Sequence, residues 1–172
     1  MAIDGVKIID SDTGYDIYNY VIGSYKDGMS ADKIVETMLA EEKDYCIDNF
    51  YSEIYWTALA YSLWKIGHLP DDVKEKTIGI IKKGADEFWL EIDGKALKQR
   101  QKNLDKLAIQ LENENPKPIK VPKSKTTRKP YFQTGDVLAI KFDDEYGVCF
   151  VSSVDEGPRK IEYHLACTRL LQ

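Results

Sequence analysis

The stretch Ser52–Pro70 constrains this chain most, reading Ser-Glu-Ile-Tyr-Trp-Thr-Ala-Leu-Ala-Tyr-Ser-Leu-Trp-Lys-Ile-Gly-His-Leu-Pro. Trp56, Leu59, Ala60, Leu63 and Ile66 recur at helical spacing. Ile54, Ala58, Tyr61 and Trp64 fill much of the remaining circumference, and only Glu53 and Lys65 carry charge between Ser52 and Ile66. A helix apolar nearly all round must be covered on all sides, so it belongs at the centre of a helical domain. It is too short and too interrupted to span a bilayer. Gly67 suits the left-handed residue that ends a helix, and Pro70 prevents continuation.

The flanking sequence supplies the cover. Met1–Ser11, with Val6, Ile8 and Ile9, reads as extended. Asp12 reads as the N-cap of a helix to about Asp27, with Ile17, Tyr20, Val21 and Ser24 on one face and Gly28 at its end. Ser30 caps the next helix, which turns Ile34, Val35, Met38 and Leu39 inward; Asp32 in its first turn matches the macrodipole. Asp44–Tyr51 reads equally as a loop or a short turn. Pro70 opens a helix with Val73, Thr77, Ile80 and Ile81 inward, closed by Gly84. Ala85–Ile92 is a short helix bearing Phe88 and Trp89. Lys95–Glu112 carries Leu97, Leu104, Leu107, Ala108 and Leu111 as one stripe on an otherwise charged surface, so it reads as an outer helix.

At Asn113 the texture changes. Pro116, Pro118, Pro122 and Pro130 fall among Lys and Thr, which predicts an extended, polyproline-like connector. Beyond it Leu138, Ile140 and Phe142 alternate with Ala139 and Lys141, Tyr146–Val154 reads as a second strand, and Ile161, Tyr163 and Leu165 alternate again. The expected architecture is α+β: a mainly antiparallel helical domain over 1–112, a Pro/Lys-rich linker over 113–130, and a small antiparallel β segment over 131–172. Three strands bury little surface alone, so that segment needs the helical body or a partner.

Charge divides the same way. Residues 1–115 carry 14 Lys/Arg against 22 Asp/Glu, residues 116–130 carry six basic residues and no acidic one, and residues 131–172 are again acidic. No secretory leader and no long apolar run are visible, so the expectation is a cytoplasmic protein away from the membrane. Its scattered cysteines, Cys46, Cys149 and Cys167, then read as reduced, buried thiols.

No catalytic constellation is visible. His68 has no ligand-type residue at metal-binding spacing, and His164 with Cys167 is a lone pair where three or four convergent ligands are needed. There is no phosphate loop and no serine elbow. Asp12 and Asp16 share a helix face, which capping and solvation explain better than acid–base chemistry. The expectation is a protein with no enzyme activity, no cofactor and no metal. The basic linker offers charge for phosphates but has no aromatic residue between Lys117 and Lys129 to stack on bases, so a solvated spacer is the better reading.

Some segments carry a resemblance. Ser11-Asp12 followed by Tyr15-Asp16 is similar to the start of an uncharacterised bacterial family of helical proteins. Trp56, Ala58-Leu59-Ala60, Trp64, Gly67 and Leu69 resemble the same family, as do Val73-Lys74, Ile80-Ile81, Gly84, Trp89 and the Pro/Lys-rich connector. The tail, Phe132-x-x-Gly135-Asp136-Val137-x-Ala139 followed by Tyr146-Gly147, looks like the first strands of polymorphic-toxin immunity proteins. The resemblance implies a non-enzymatic immunity protein that neutralises a bacterial toxin by direct binding. An acidic body suits a basic toxin. Asp44, Asp48, Asp143, Asp144 and Glu145 are the candidate contacts, the last three at a hairpin tip where packing cannot be their purpose. The alternatives are an adaptor or structural component of a phage-defence or counter-defence system, and a nucleic-acid-binding module.

Overall fold

The computed structural model describes residues 4–121, 129–143, 145–157 and 160–168. The chain forms two compact units, Met1–Val121 and Pro122–Gln172. The first contains helices α1 (Asp12–Lys26), α2 (Ala31–Tyr45), α3 (Asn49–Lys65), α4 (Asp71–Lys83), α5 (Trp89–Ile92) and α6 (Ala96–Leu111). The second is a three-stranded antiparallel sheet, β1 (Val137–Phe142), β2 (Glu145–Glu156) and β3 (Ile161–Cys167), in the order β1-β2-β3. The fold is α+β, as the periodicities predict.

Helix α3 is the centre. Every residue from Glu53 to Ala60 is buried, a run of more than two turns that leaves no side facing water. Helices α1, α2, α4 and α6 pack around it. Ile17, Val21, Ile34, Met38, Val73, Ile81, Leu104, Leu107 and Leu111 meet its side chains in one core. Phe50, Ile54, Trp89 and Ala96 form a second, smaller cluster at its N-terminal end.

The helix ends follow local chemistry. Asp48 caps α3 by accepting from Tyr51 N at 2.8 Å, which makes Asp44–Tyr51 a helix junction. Ser11, not Asp12, caps α1: its hydroxyl accepts from Gly14 N at 3.1 Å, and Asp12 is the first helical residue. A Cβ on Gly14 would lie 3.0 Å from both that hydroxyl oxygen and Ile8 O, so the cap needs glycine there. The segment before it is folded into turns rather than extended, closed by Asp4 N donating to Asp10 O at 2.9 Å. At the other end of α3, Gly67 (φ +75°) donates to Trp64 O and His68 N to Leu63 O, closing the helix in a Schellman turn.

Residues 113–121, the first part of the expected connector, do not hang free of α3. Trp64 Nε1 donates to Asn113 O (2.7 Å), Asn115 Nδ2 to Trp64 O and Lys65 O (3.1 and 3.2 Å), and Ile119 N to Lys65 O (2.9 Å). The strap thus satisfies carbonyls that the end of α3 leaves without helical partners. Nor are the cysteines all reduced: Cys149 and Cys167 form a disulfide, and Cys46 is free. The sheet register sets them directly opposite on β2 and β3, a relation that spacing along the chain does not reveal.

Candidate interaction surface

The second unit presents an apolar sheet face to water. Along β2, Gly147, Cys149 and Val151 are buried while Tyr146, Val148 and Phe150 are 63%, 44% and 44% exposed. Successive strand residues point to opposite faces, so these are two faces of one strand. Register extends the exposed face: Lys141, Ala139 and Val137 on β1 lie opposite Tyr146, Val148 and Phe150, and Ala166 on β3 lies opposite Phe150. Val137 is 66% exposed. The opposite face holds Cys149 and Val151, which are buried, and Leu165, which is 44% exposed, and a register shift between Val151 and Ser153 breaks the β2–β3 pairing.

The outer face ends in charge. Beyond Ala166, His164 shares its side of β3, and His164 Nε2 lies 2.8 Å from Asp155 Oδ2. At the opposite end the hairpin loop follows Phe142, which pairs with Glu145. Asp143 sits in that loop with φ 51°, a left-handed conformation that Asp tolerates better than most side chains. Glu145 belongs to β2 rather than to the loop, one residue before Tyr146 and so on the opposite face. Asp144 lies outside the described residues. Lys141 Nζ stands 5.9 Å from the Tyr146 ring centroid. An aromatic and aliphatic centre within a charged rim is the anatomy of a protein interface, and contiguous exposed apolar surface is uncommon without such a role.

Asp44 and Asp48 lie in the first unit. Asp44 is exposed in the last turn of α2, and Asp48 is engaged as the α3 cap. The five carboxylates therefore belong to two separate units.

Sequence reasoning missed a buried polar cluster. Arg100, read as part of a charged surface, is 1% exposed, and Glu53 is 2% exposed. Arg100 Nε donates to Glu53 Oε1 at 2.7 Å; its other nitrogens donate to Lys7 O (2.7 Å) and Thr57 Oγ1 (3.2 Å). Trp89 Nε1 donates to the same Glu53 oxygen at 3.2 Å, and Asp86 N to Glu53 Oε2 at 2.8 Å. The guanidinium carbon stands 4.7 Å from the Trp89 ring centroid. Burial lowers the Arg100 pKa from its ordinary value, and the Glu53 carboxylate opposes that shift. Every polar atom named has a partner, so the cluster joins four segments and leaves nothing free for chemistry. The sequence signal was Glu53 itself, a charge inside an apolar helix that demands a buried partner.

Other candidates are engaged too. His68 Nε2 pairs with Asp32 Oδ1 at 2.9 Å. Burial pushes the Cys46 thiol pKa up, the opposite of an activated nucleophile. A groove of ≈ 430 Å³ beside Trp56 is bordered by Glu42 and Lys76, which lie 3.8 Å apart. Among the described residues no group of three or more His, Cys, Asp or Glu is placed to hold a metal ion, and no helix is long and apolar enough to cross a membrane. No protein-family model, no curated protein and no solved structure matches the chain.

Proposed function

We propose that this protein is a non-enzymatic binding protein that neutralises a bacterial toxin by covering it with the outer face of the sheet. The observation that carries the reading is the exposed set Val137, Ala139, Tyr146, Val148, Phe150 and Ala166, set in register across three strands. Tyr146 and Phe150 are the residue types that serve as interface anchors, because a large ring buries area at low entropy cost. Asp143 at one end of the face and the excess of acid in the first unit suit a basic target, such as an enzyme built to hold phosphates. The toxin-immunity resemblance of the Phe132–Gly147 segment points the same way.

The test is co-expression of the full chain with toxins encoded beside its gene, followed by binding of the purified pair. Growth rescue, a one-to-one complex and loss of both on Tyr146→Ala with Phe150→Ala are the expected results. Rescue that survives the double substitution would remove the sheet face from the mechanism. Absence of both rescue and binding would remove the toxin reading.

A further inference from the structure

The same sheet has an open edge whose backbone polarity follows from its register. Thr168 N donates to Val148 O at 2.8 Å, and Val148 N reaches Thr168 Oγ1 at 3.3 Å, so Val148 turns its peptide groups toward β3. Val151 N donates to Asp136 O and Gly135 N to Val151 O, both at 2.9 Å, so Val151 turns toward the β1 side. In an antiparallel ladder these directions alternate residue by residue. Leu138 and Ile140, opposite Cys149 and Gly147, therefore bond to β2. Val137, Ala139 and Lys141 turn their N–H and C=O groups outward. Strand β1 is the sheet's edge, and no described strand pairs with that side.

These three residues are also the β1 contribution to the exposed outer face. Free backbone donors and acceptors and exposed side chains thus coincide on one strand. Asp136 and Asp143 stand just before and just after it. A second copy of this chain, added antiparallel, would set Asp136 of each copy near Asp143 of the other, which like-charge repulsion opposes. Lys141 on the edge opposes uncontrolled pairing because its charge resists being covered.

We propose that a partner protein binds by adding an extended segment to β1 as a fourth strand. Its alternate side chains are apolar and extend the outer face beside Val137 and Ala139. Lys or Arg flanks the segment, facing Asp136 and Asp143. Backbone hydrogen bonds supply affinity in this mode, and alternate side chains supply selectivity. The inference rests on the protein being a binding protein, not on the partner being a toxin.

A display library of unstructured ten-residue peptides, panned against the full chain, is the probe. Ala139→Pro and Val137→Pro each remove an outward-facing amide, whereas Ala139→Thr keeps it. Val137 is the first residue of its strand, where proline is tolerated. Circular dichroism of each variant checks that the sheet persists. The expected result is enrichment of alternately apolar peptides with basic flanks. Their affinity falls at least tenfold in the proline variants and is retained in Ala139→Thr. No enrichment, or affinity indifferent to both prolines in folded protein, overturns the proposal. Toxin neutralisation that persists in both proline variants would also remove strand addition, while leaving the binding function standing. Edge-dependent peptide binding without toxin neutralisation would keep strand addition and remove the toxin reading.

Discussion

Arg100 Nε and Glu53 Oε1 lie 2.7 Å apart, with both side chains almost completely out of water. The pair bridges α6 to α3, and its remaining hydrogen bonds reach the Lys7 carbonyl, Thr57, Trp89 and the Asp86 amide. A buried ion pair adds little over an apolar substitute, because desolvation offsets its attraction. Removing one member is different, since the other is left charged and unpaired. Arg100→Met should therefore lower stability by about 3–5 kcal/mol. Urea unfolding followed by tryptophan fluorescence measures it. A loss below about 1 kcal/mol would mean that Glu53 finds another partner.

Gly67 and Pro118 form a second tight relationship. A Cβ on Gly67 would lie 2.8 Å from Pro118 Cβ, and the glycine φ is +75°. Gly67→Ala should cost about 1–3 kcal/mol through backbone strain and loosen the strap over α3. Adding Pro118→Gly relieves the contact but not the dihedral, so it should recover only part of the loss. Hydrogen exchange at Ile119 N, which donates to Lys65 O, reports strap docking directly.

Alkaline stability should depend on Tyr55. Its hydroxyl donates to Met38 O, and burial, reinforced by Cys46 and Glu42, raises its pKa. Burial likewise raises that of Tyr45. A folded pKa above the unfolded value of about 10 means that the folded state holds the proton more tightly. The stabilisation is complete below pH about 10 and is lost as pH rises through the folded pKa. Tyr55→Phe should cost about 0.5–1.5 kcal/mol at neutral pH and flatten the alkaline decline. Denaturation midpoints between pH 8 and 11 check both effects.

The Cys149–Cys167 disulfide closes a loop with a sequence separation of 18. Loop-closure entropy for a ring of this size amounts to about 3 kcal/mol. Reduction by a dithiol should speed amide exchange in β2 and β3 and leave α3 unchanged. Thiol titration of the unfolded, unreduced protein should find one group, Cys46, and three after reduction. Three before reduction would disprove the bond.

Charge at the loop should govern capture rate more than hold. Asp143→Asn keeps a residue that accepts φ 51° and removes the charge. It should slow association with a basic partner and flatten the salt dependence, with dissociation and thermal midpoint nearly unchanged. Stopped-flow association at two salt concentrations tests it.

What the sequence determined by itself is local and periodic. Helices α1, α2, α3, α4 and α6 were legible because their apolar spacing, caps and terminal glycines act within a few residues. The central place of α3 was legible because a segment apolar all round leaves no side for water. The strands were visible in alternation, although which set of side chains faces outward was not. Tertiary structure alone decided the rest. Arg100 is buried because Glu53, 47 positions earlier, needs a cation, and nothing local marks it among its charged neighbours. Cys149 meets Cys167 through strand register, and Asn113–Ile119 docks because α3 ends with carbonyls lacking helical donors. The exposed apolar face exists only after three strands align, because no single strand holds Val137, Phe150 and Ala166 side by side. Periodicity reveals what one segment must bury; only register and packing reveal what several segments leave exposed together.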